Sequence, residues 1–502
     1  DGERMSPVTV EAAPALAGQT GGLTPVVFIT GGARAESSSF PSLTTLIELE
    51  PGGSRQLVWA HAGCATLEES FSLARSTSAR RWDAENARIE MLNAGWVEIY
   101  TGLPEWDAAF ALSQKTALSL FLQPTPRRDG DGLALPKPSF VLNRLPDQGY
   151  SGRGDGNDYG TLWSGQSPLE AGYLASLILP AQPDLAAGLV QNFLSTQGSD
   201  GSLDFKPGLG GQRSRMMATP ALTGLAWKIY QVTGDLTFLE QVFPGLLRFV
   251  EAWLGPEHDR DGDGLPEWDH PVQAGLEEHP VYSPWLENTP GLNIQTVESP
   301  GLGALLNNEV RCLLRMARIL GQEETTARLE ELAERLRAEV EATWDSRSGA
   351  YRDRDRDTHS SPRGGLLSKR QGPGEIPISR RFRRPVRVLI QFRVPEESSR
   401  KPLVQIFGLD EAGQEQVETA PPERCRWFLG RGMLTSEQVF SQVERVVVED
   451  LAPEDEAEVF SVSYRHEDHS QLLPLWAGIP SEKRARSLVE KTITNPEKFW
   501  RS

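Results

Sequence analysis

The sequence predicts a mainly α protein, opened by strands and interrupted by an antiparallel β domain. Three observations predict it. From about residue 104 to 345, apolar residues recur three and four apart in one segment after another. Residues 24–64 instead cluster β-branched and aromatic residues around a Pro-Gly-Gly turn. Residues 373–465 do the same in five short runs. With 502 residues, the chain exceeds one ordinary core and implies two or three domains, or one large domain with insertions.

Taken in order, "TPVVFIT" and "TTLIELEPGGSRQLVWAHAGC" read as strands, and "TLEESFSLARS" and "RRWDAENARIEML" as helices with charged outer faces. The procession then runs through "PEWDAAFALSQKTALSLFL", "SPLEAGYLASLIL", "PDLAAGLVQNFLSTQ", "TPALTGLAWKIYQVTG", "LTFLEQVFPGLLRFVEAWL", "SPGLGALLNNEVRCLLRMARILG" and "EETTARLEELAERLRAEVEATW". In the last, Leu329, Leu332, Leu336 and Val340 share one face, with Glu and Arg opposite. Ser, Thr, Pro or Asp opens many of these helices and Gly closes several. "RPVRVLIQFRV", "KPLVQIFGLD", "RCRWFLG", "RVVVEDL" and "EVFSVSYR" read as the strands of the inserted domain. Helical pattern returns with "SQLLPLWAGI" and "PSEKRARSLVEKTI".

Hydrophobic residues make up 38% and charged residues 24%, as in globular proteins. The net charge of −18 argues against binding a nucleic-acid backbone and suits a neutral small molecule or divalent cations. Cys64, Cys312 and Cys425 are far apart, with neither zinc spacing nor a disulfide framework, and read as small hydrophobes. No apolar run approaches the length of a membrane span. The chain begins at Asp1, so the lack of a visible signal peptide carries little weight, and the cytoplasm is favoured only slightly.

The run "HDRDGDGLPEWDH" concentrates charge at one turn. Asp259, Asp261 and Asp263 occupy the first, third and fifth places of a DxDxDG pattern, with Gly264 sixth. That spacing lets alternate carboxylates converge on a hard cation while Gly makes the sharp turn. The Leu265 carbonyl and Glu267 can add to the set. The twelfth place holds His270 rather than the bidentate Glu of an EF-hand, and Pro271 opposes an exiting helix. A loop stapled by structural Ca²⁺ is the expectation, with a solvated Asp-rich turn as the alternative.

Several pieces then fall in a familiar order. "YQVTGDLTFLEQVFPGLLRFVEAWL", "DRDGDGLPEW", "AGLEEHP", "WDSRSGAYRDRD" and "LLPLWAGIPSEKRARSLVEKTITNPEKFW" resemble elements of a glycoside hydrolase clan. That clan includes family sixty-three α-glucosidases, trehalases, mannosylglycerate hydrolases and amylo-α-1,6-glucosidase-like proteins. The resemblance covers roughly residues 100 to 500 and implies an (α/α)6 toroid, usually preceded by a β-sandwich. On that reading, residues 1–65 are a β-sandwich part, 66–103 a helical linker and 104–372 the first part of the barrel. Residues 373–465 are the inserted β domain, and 466–502 continue the barrel. About nine barrel helices can be read where the toroid has twelve, so the ring is expected to be incomplete at its C-terminal end. The family's catalytic base lies after the Phe-Trp element and is expected beyond this chain.

The resemblance also assigns residues. Inverting glycosidases use an acid and a base about 6.5–9.5 Å apart, with room for water between them. Matching Gly275 and Pro280 to the family's Gly-x-Asp-Asn-x-Pro puts Glu277 at the acid, with Glu278 as runner-up. Trp268, Tyr282 and Trp285 can supply the apolar wall that keeps such an acid protonated. The family's Trp-x-Trp-Asp is here "LWSGQ", which offers Trp163 and puts Gln166 where a sugar-binding Asp would fall. Tyr351 and Asp353 match another family element, and Trp476 is either core or a sugar platform. "RDRDRDTH" reads as a solvated strand end, and His466, Asp468 and His469 as a turn capping the next helix.

The function so implied is inverting hydrolysis of an α-linked glucoside or mannoside, with an oligosaccharide or small glycoside as partner and neither nucleic acid nor membrane. The present residues alone are expected to lack full activity. The alternative is a non-catalytic carbohydrate-binding or scaffold protein derived from a glycosidase. A sugar epimerase would need a pair of barrel histidines, and only His258, His270 and His279 cluster in the sequence.

Overall fold

The computed structural model describes residues 5–19, 23–37, 40–124, 133–140, 165–209, 211, 213–275, 279–283, 286, 289–395 and 400–497. The chain divides into two compact units, residues 1–96 and 97–502.

The first unit is built on a four-stranded antiparallel sheet of Ser6–Val10, Ala13–Ala17, Thr24–Ile29 and Trp59–Cys64, in that spatial order. Helix α1 (Leu67–Ser78) starts in a capping box between Thr66 and Glu69 and lays Phe71 and Ala74 on the sheet. The Phe71 ring meets Phe28 edge-on at 5.6 Å. Helix α2 (Trp82–Ala94) follows. Two features differ from expectation. The hairpin Ser6–Ala17 turns through Glu11 and Ala12, both at positive φ (49° and 64°), so it lacks the Asn-Gly signature of such turns. Residues 45–58 form no strand, and Leu46 and Leu49 stay exposed.

Among the described residues, the second unit opens with seven helices: α3 (Pro104–Ser119), α4 (Pro168–Ile178), α5 (Pro183–Leu194), α6 (Leu222–Thr233), α7 (Leu236–Trp253), α8 (Pro300–Ile319) and α9 (Glu323–Ala342). Successive helices touch, and so do alternate ones: α4 meets α6, α6 meets α8, and α5 meets α7. That is the contact pattern of two helical layers, as in an α/α toroid. Helix α8 buries 14 of its residues and is exposed only toward its C-terminal end, whereas α9 buries only Leu329, Leu336 and Val340, so α8 lies inside and α9 outside. Trp253, Phe193, Phe249, Leu246 and Leu306 fill the core between them.

One charge inside α8 completes another helix. Glu309 is fully buried and accepts from the Thr223 and Gly224 amides, at 2.6 and 2.8 Å, at the start of α6. Burial raises its pKa, and the two N–H bonds oppose that shift. Those amides belong to the set a helix cannot satisfy itself, and Ala221 at the cap position offers no side-chain oxygen.

Residues 365–461 form two antiparallel sheets face to face. One orders Gly365–Gln371, Glu456–Ser461, Val388–Arg393, Arg431–Thr435 and Arg426–Phe428, and the other Gly374–Val386, Phe440–Glu449, Leu403–Leu409 and Glu415–Ala420. Their inward residues, among them Ile390, Phe392 and Val459 against Ile406, Val446 and Phe440, make a separate core. The polar strands Gly365–Gln371 and Glu415–Ala420 sit at sheet edges, where little apolar pattern is needed, and were not legible as strands. The short α10 (Leu473–Trp476) and α11 (Glu482–Lys491) follow. Cys312 and Cys425 are buried, Cys64 is half-buried, and all three are free thiols. No described helix is long and apolar enough to cross a membrane.

Replacing Glu309 by Leu should orphan both α6 amides and lower stability by about 1–3 kcal/mol for each. Urea unfolding measures the loss, and Glu309→Gln, which keeps one acceptor oxygen, should lose less.

Candidate active site

The site is organised by the segment Arg352–Asp357. Its alternating charges are not a solvated strand end: Arg352, Asp353, Arg354 and Asp355 are all buried, from 1% to 7% exposed. Charges removed from water must be paired, and these are. Arg352 donates to the His466 carbonyl and to Glu467 (2.7 Å). Arg354 pairs with Glu298 at 2.6 Å. Asp355 meets Arg387 at 2.6 Å and accepts from the Tyr464 hydroxyl at 2.7 Å. Asp357 also pairs with Arg387, which is itself wholly buried.

The acidic loop leaves α7 and closes on itself where the Glu267 amide donates to the His258 carbonyl, at 2.8 Å. Both Asp259 oxygens accept amides of the turn, from Gly262 (2.9 Å) and Gly264 (3.0 Å), each a glycine at positive φ. The Leu265 side chain is buried against α8, where a Cβ added to Gly303 would lie 2.6 Å from it. Asp261 and Asp263 converge with Glu298 and His359, one donor atom from each lying within 4.8 Å of the others. Asp259 and Glu267 fall outside that group.

Glu298 and His359 were not singled out from the sequence. Glu298 stands in a two-residue strand paired with Arg354–Asp355 and bridges to Glu267. His359 Nδ1 lies 2.6 Å from Glu298 Oε1 and 3.6 Å from Asp263. Burial, reinforced by Asp263 and Asp261, pushes the Glu298 carboxyl up to about 9 despite Arg354. Burial likewise lifts Glu267 to about 8. Glu267 Oε2 faces Arg260 at 3.4 Å, but its fully enclosed Oε1 has no partner among the described residues.

A second polar cluster borders the expected acid loop. The Tyr282 hydroxyl donates to Asp353 Oδ2, and His466 Nε2 sits 2.8 Å from the same oxygen. Asp468 Oδ2 stands between His279 and His466, 3.7 Å from each. Asp353 Oδ1, His466 Nδ1 and Asp468 Oδ2 are enclosed without hydrogen-bond partners among the described residues. Burial opposes the Asp353 charge, but bonds from His466 and Tyr282 hold its pKa below the usual carboxylate range. Burial also opposes the His466 charge, but Asp353 and Asp468 raise its pKa above the ordinary histidine value. His279 is held below that value by burial, with Asp468 and Asp353 countering.

Glu277, Glu278, Trp163 and Trp285 lie outside the described residues. The ends of the acid loop are described. Gly275, at φ 81°, closes a short turn, and the His279 amide donates to Ser283 Oγ at 2.8 Å. Tyr282 is brought to the polar cluster. Trp268 is buried edge-on against Trp253 at 5.6 Å. Tyr351 is buried against Trp344, with its hydroxyl on Glu341 at 3.1 Å. Gln166 is wholly buried: its oxygen accepts from Ser139 and Asn192, and its nitrogen donates to the Leu189 carbonyl at 2.8 Å. Trp476 is 59% exposed on α10.

Residues 161–380 match the family model described as the mannosylglycerate hydrolase MGH1-like glycoside hydrolase domain. The match takes in the acidic loop, the acid loop and the Trp344–Asp353 element, so the resemblance read from those motifs holds over this stretch. Among solved structures, a GH63 mannosylglycerate hydrolase from Thermus thermophilus in complex with Tris is similar at 19% identity and a TM-score of 0.33, over 39% of this chain and 62% of that one. Neutral trehalase Nth1 from Saccharomyces cerevisiae is similar at 14% and 0.30, over 40% and 47% of the two chains. A bacterial glucoamylase complexed with acarbose is similar at 9% and 0.38, over 68% and 48%. This chain thus spans less than two thirds of the length of that mannosylglycerate hydrolase. No curated protein matches it.

The His466–Asp353 pair predicts a pH dependence. A histidine whose pKa is raised on folding contributes stability that is complete below its unfolded value, about 6.5, and is lost as pH rises through the folded value. An aspartate with a lowered pKa contributes above its unfolded value, about 3.9, and loses that contribution as pH falls through the folded one. The stability difference between wild type and His466→Gln, from urea unfolding, should be largest near pH 5–6 and shrink as pH rises above about 6.5.

Proposed function

We propose, for a chain whose residues 161–380 are a glycoside hydrolase domain, that the protein is an inverting glycosidase acting on an α-linked glucoside or mannoside. The family match carries this reading, and the two helical layers are consistent with it. Glu277 is the general acid that protonates the leaving oxygen, with Glu278 as the second candidate. The loop between Gly275 and His279 is short and held at both ends, which suits a group that must be aimed. The buried cluster of Tyr282, Asp353, His466 and Asp468 borders it and offers enclosed polar atoms to a sugar hydroxyl or an ordered water. Trp163, Gln166, Trp268, Trp285, Tyr351 and Trp476 remain the sugar-contact candidates of the family pattern, although Gln166, Trp268 and Tyr351 would reach a ligand only through movement of their packed surroundings.

The acidic loop fits a divalent cation. Asp261, Asp263 and Glu298 supply carboxylates, and the unpartnered Glu267 oxygen supports a missing positive charge nearby. Ca²⁺ prefers such oxygens, whereas direct ligation by His359 would favour a softer metal. The ion would brace the loop beside the acid and take no part in bond cleavage. Asp259, Leu265 and Glu267 then serve by holding the turn.

Two measurements test this. In a form extended to include the base expected beyond residue 502, Glu277→Gln should lower turnover of an α-glycoside by about 10²–10⁴-fold, and Glu278→Gln by far less. Proton NMR of the first product should show the inverted anomer. Retention of configuration, or full activity in both variants, would overturn the assignment. Separately, chelator-treated protein should melt at a higher temperature when Ca²⁺ is added, gaining about 2.7 kcal/mol at a hundred times Kd. No response to Ca²⁺ but one to Zn²⁺ would transfer the site to His359.

A further inference from the structure

A concavity lies on the β-sandwich. It is a cleft of about 770 Å³ between the edge strands Gly365–Gln371 and Gly374–Val386 and the segment that leads into them. Arg347, Arg363, Arg380, Arg383, Arg384 and Arg465 line it. In a chain of net charge −18 such a concentration of one sign is unexpected. Five of the six side chains have no hydrogen-bond or ion-pair partner among the described residues, and Arg465 only approaches Asp345 at 3.8 Å. Elsewhere arginines of this chain find carboxylates readily, as Arg352, Arg354 and Arg387 do.

The backbone is shaped to present them. Strand Gly374–Val386 loses register with its neighbour twice, between Pro377 and Arg380 and between Arg381 and Val386. Ser379 takes positive φ (51°), which a serine seldom adopts. The second irregularity puts four residues, 382–385, opposite a single one, so Arg383 and Arg384 leave the ladder. Bulges of this kind re-aim side chains. They also protect strand edges, as charged residues do. Edge protection does not account for Arg347, Arg363 and Arg465, which come from outside the two strands and converge on the same space.

We propose that this cleft binds an anionic oligosaccharide, whose carboxylate, sulfate or phosphate groups are received by the arginines. Arginine suits such groups because its planar fork pairs with two oxygens at once. The cleft has the volume of a small-molecule site, and Leu366, Ile378 and Phe382 give it an apolar wall for sugar rings. A flat membrane or a long duplex would extend beyond the cleft onto a surface that is negative on balance. The choice of a carbohydrate over another anion rests on the glycosidase reading, while the anion site itself does not.

Isothermal titration of the full chain with tetragalacturonate, a sulfated heparin tetrasaccharide and neutral maltotetraose tests the proposal. At least one anionic tetrasaccharide should bind, more weakly as salt rises. The double variant Arg380→Glu/Arg383→Glu should weaken that binding at least tenfold, and Arg363→Gln/Arg384→Gln, a milder change in case the first misfolds, should weaken it in the same direction. Turnover of a neutral α-glycoside by the milder variant should match wild type. Anion binding by a protein that, even when extended to supply the expected base, turns over no α-glycoside would sink the glycosidase reading and leave the anion site standing. Equal binding of maltotetraose, binding unchanged in a folded variant, or binding only to duplex DNA or anionic vesicles would overturn the proposal. So would variants that bind nothing differently but self-associate, since the arginines would then be guarding strand edges.

Discussion

The arrangement of the second unit depends on one constraint: the charges of Arg352–Asp357 lie inside the protein and must be neutralised there. Each finds its partner on a different part of the chain. Arg352 and Asp353 reach His466 and Glu467, Arg354 reaches Glu298 just before α8, and Asp355 and Asp357 reach Arg387 inside the sandwich. Such pairs add little net stability, because desolvation offsets most of the attraction. Their effect is on register. Sliding the segment by one residue would put Arg against Arg and Asp against carboxylate, and a one-residue slip also exchanges the two faces of a strand. The sandwich, the segment returning from it and the start of α8 are therefore held in one alignment.

The two polar clusters hang from this ladder. Arg354 fixes Glu298, which meets Asp261 and Asp263 across a short strand pairing. On the opposite side of the segment, Asp353 holds Tyr282 and His466. Neighbouring residues of one segment, Asp353 and Arg354, thus serve two clusters. His279 and Tyr282 belong to the second cluster, and the acidic turn ends at Glu267 beside the first. A disturbance of the ladder would be felt at both.

Much of this was legible in the sequence, for identifiable reasons. The helices announced themselves by apolar residues at helical spacing, and even α8, buried over most of its length, kept its Ser-Pro start. Of the carboxylates singled out by the DxDxDG spacing, Asp261 and Asp263 come together, while Asp259 is taken up by amides of its own turn. What stayed hidden depends on distant partners. Glu298 and His359 join Asp261 and Asp263 from positions far along the chain, and nothing local to either marks it. "RDRDRD" was misread because alternating charge ordinarily means solvent. Opposite signs at a period of two are also what a strand buried on both faces needs when each face carries counter-ions. The Glu11–Ala12 hairpin was missed because its turn residues are not those that tolerate positive φ most easily. Gln166, Trp268 and Tyr351 had the composition of sugar contacts, but aromatics and amides with satisfied polar atoms serve a core equally well.

The same residue type behaves in opposite ways a few positions apart, and this separates structural from ligand-ready charge. Arg352 and Arg354 are buried, and each lies against a carboxylate, because an unpaired guanidinium could not remain there. Arg363 lies on the same stretch of chain but opens to water, which solvates its charge without a partner. Solvation permits an unpaired arginine, yet gives no reason for six to share one concavity, where each raises the potential felt by the others. That mutual repulsion is the feature an oxyanion relieves, and the distorted strand that aims Arg383 and Arg384 adds backbone strain to the same place. The charges of the ladder lie against opposite charges, whereas five of the cleft's six arginines have no partner among the described residues.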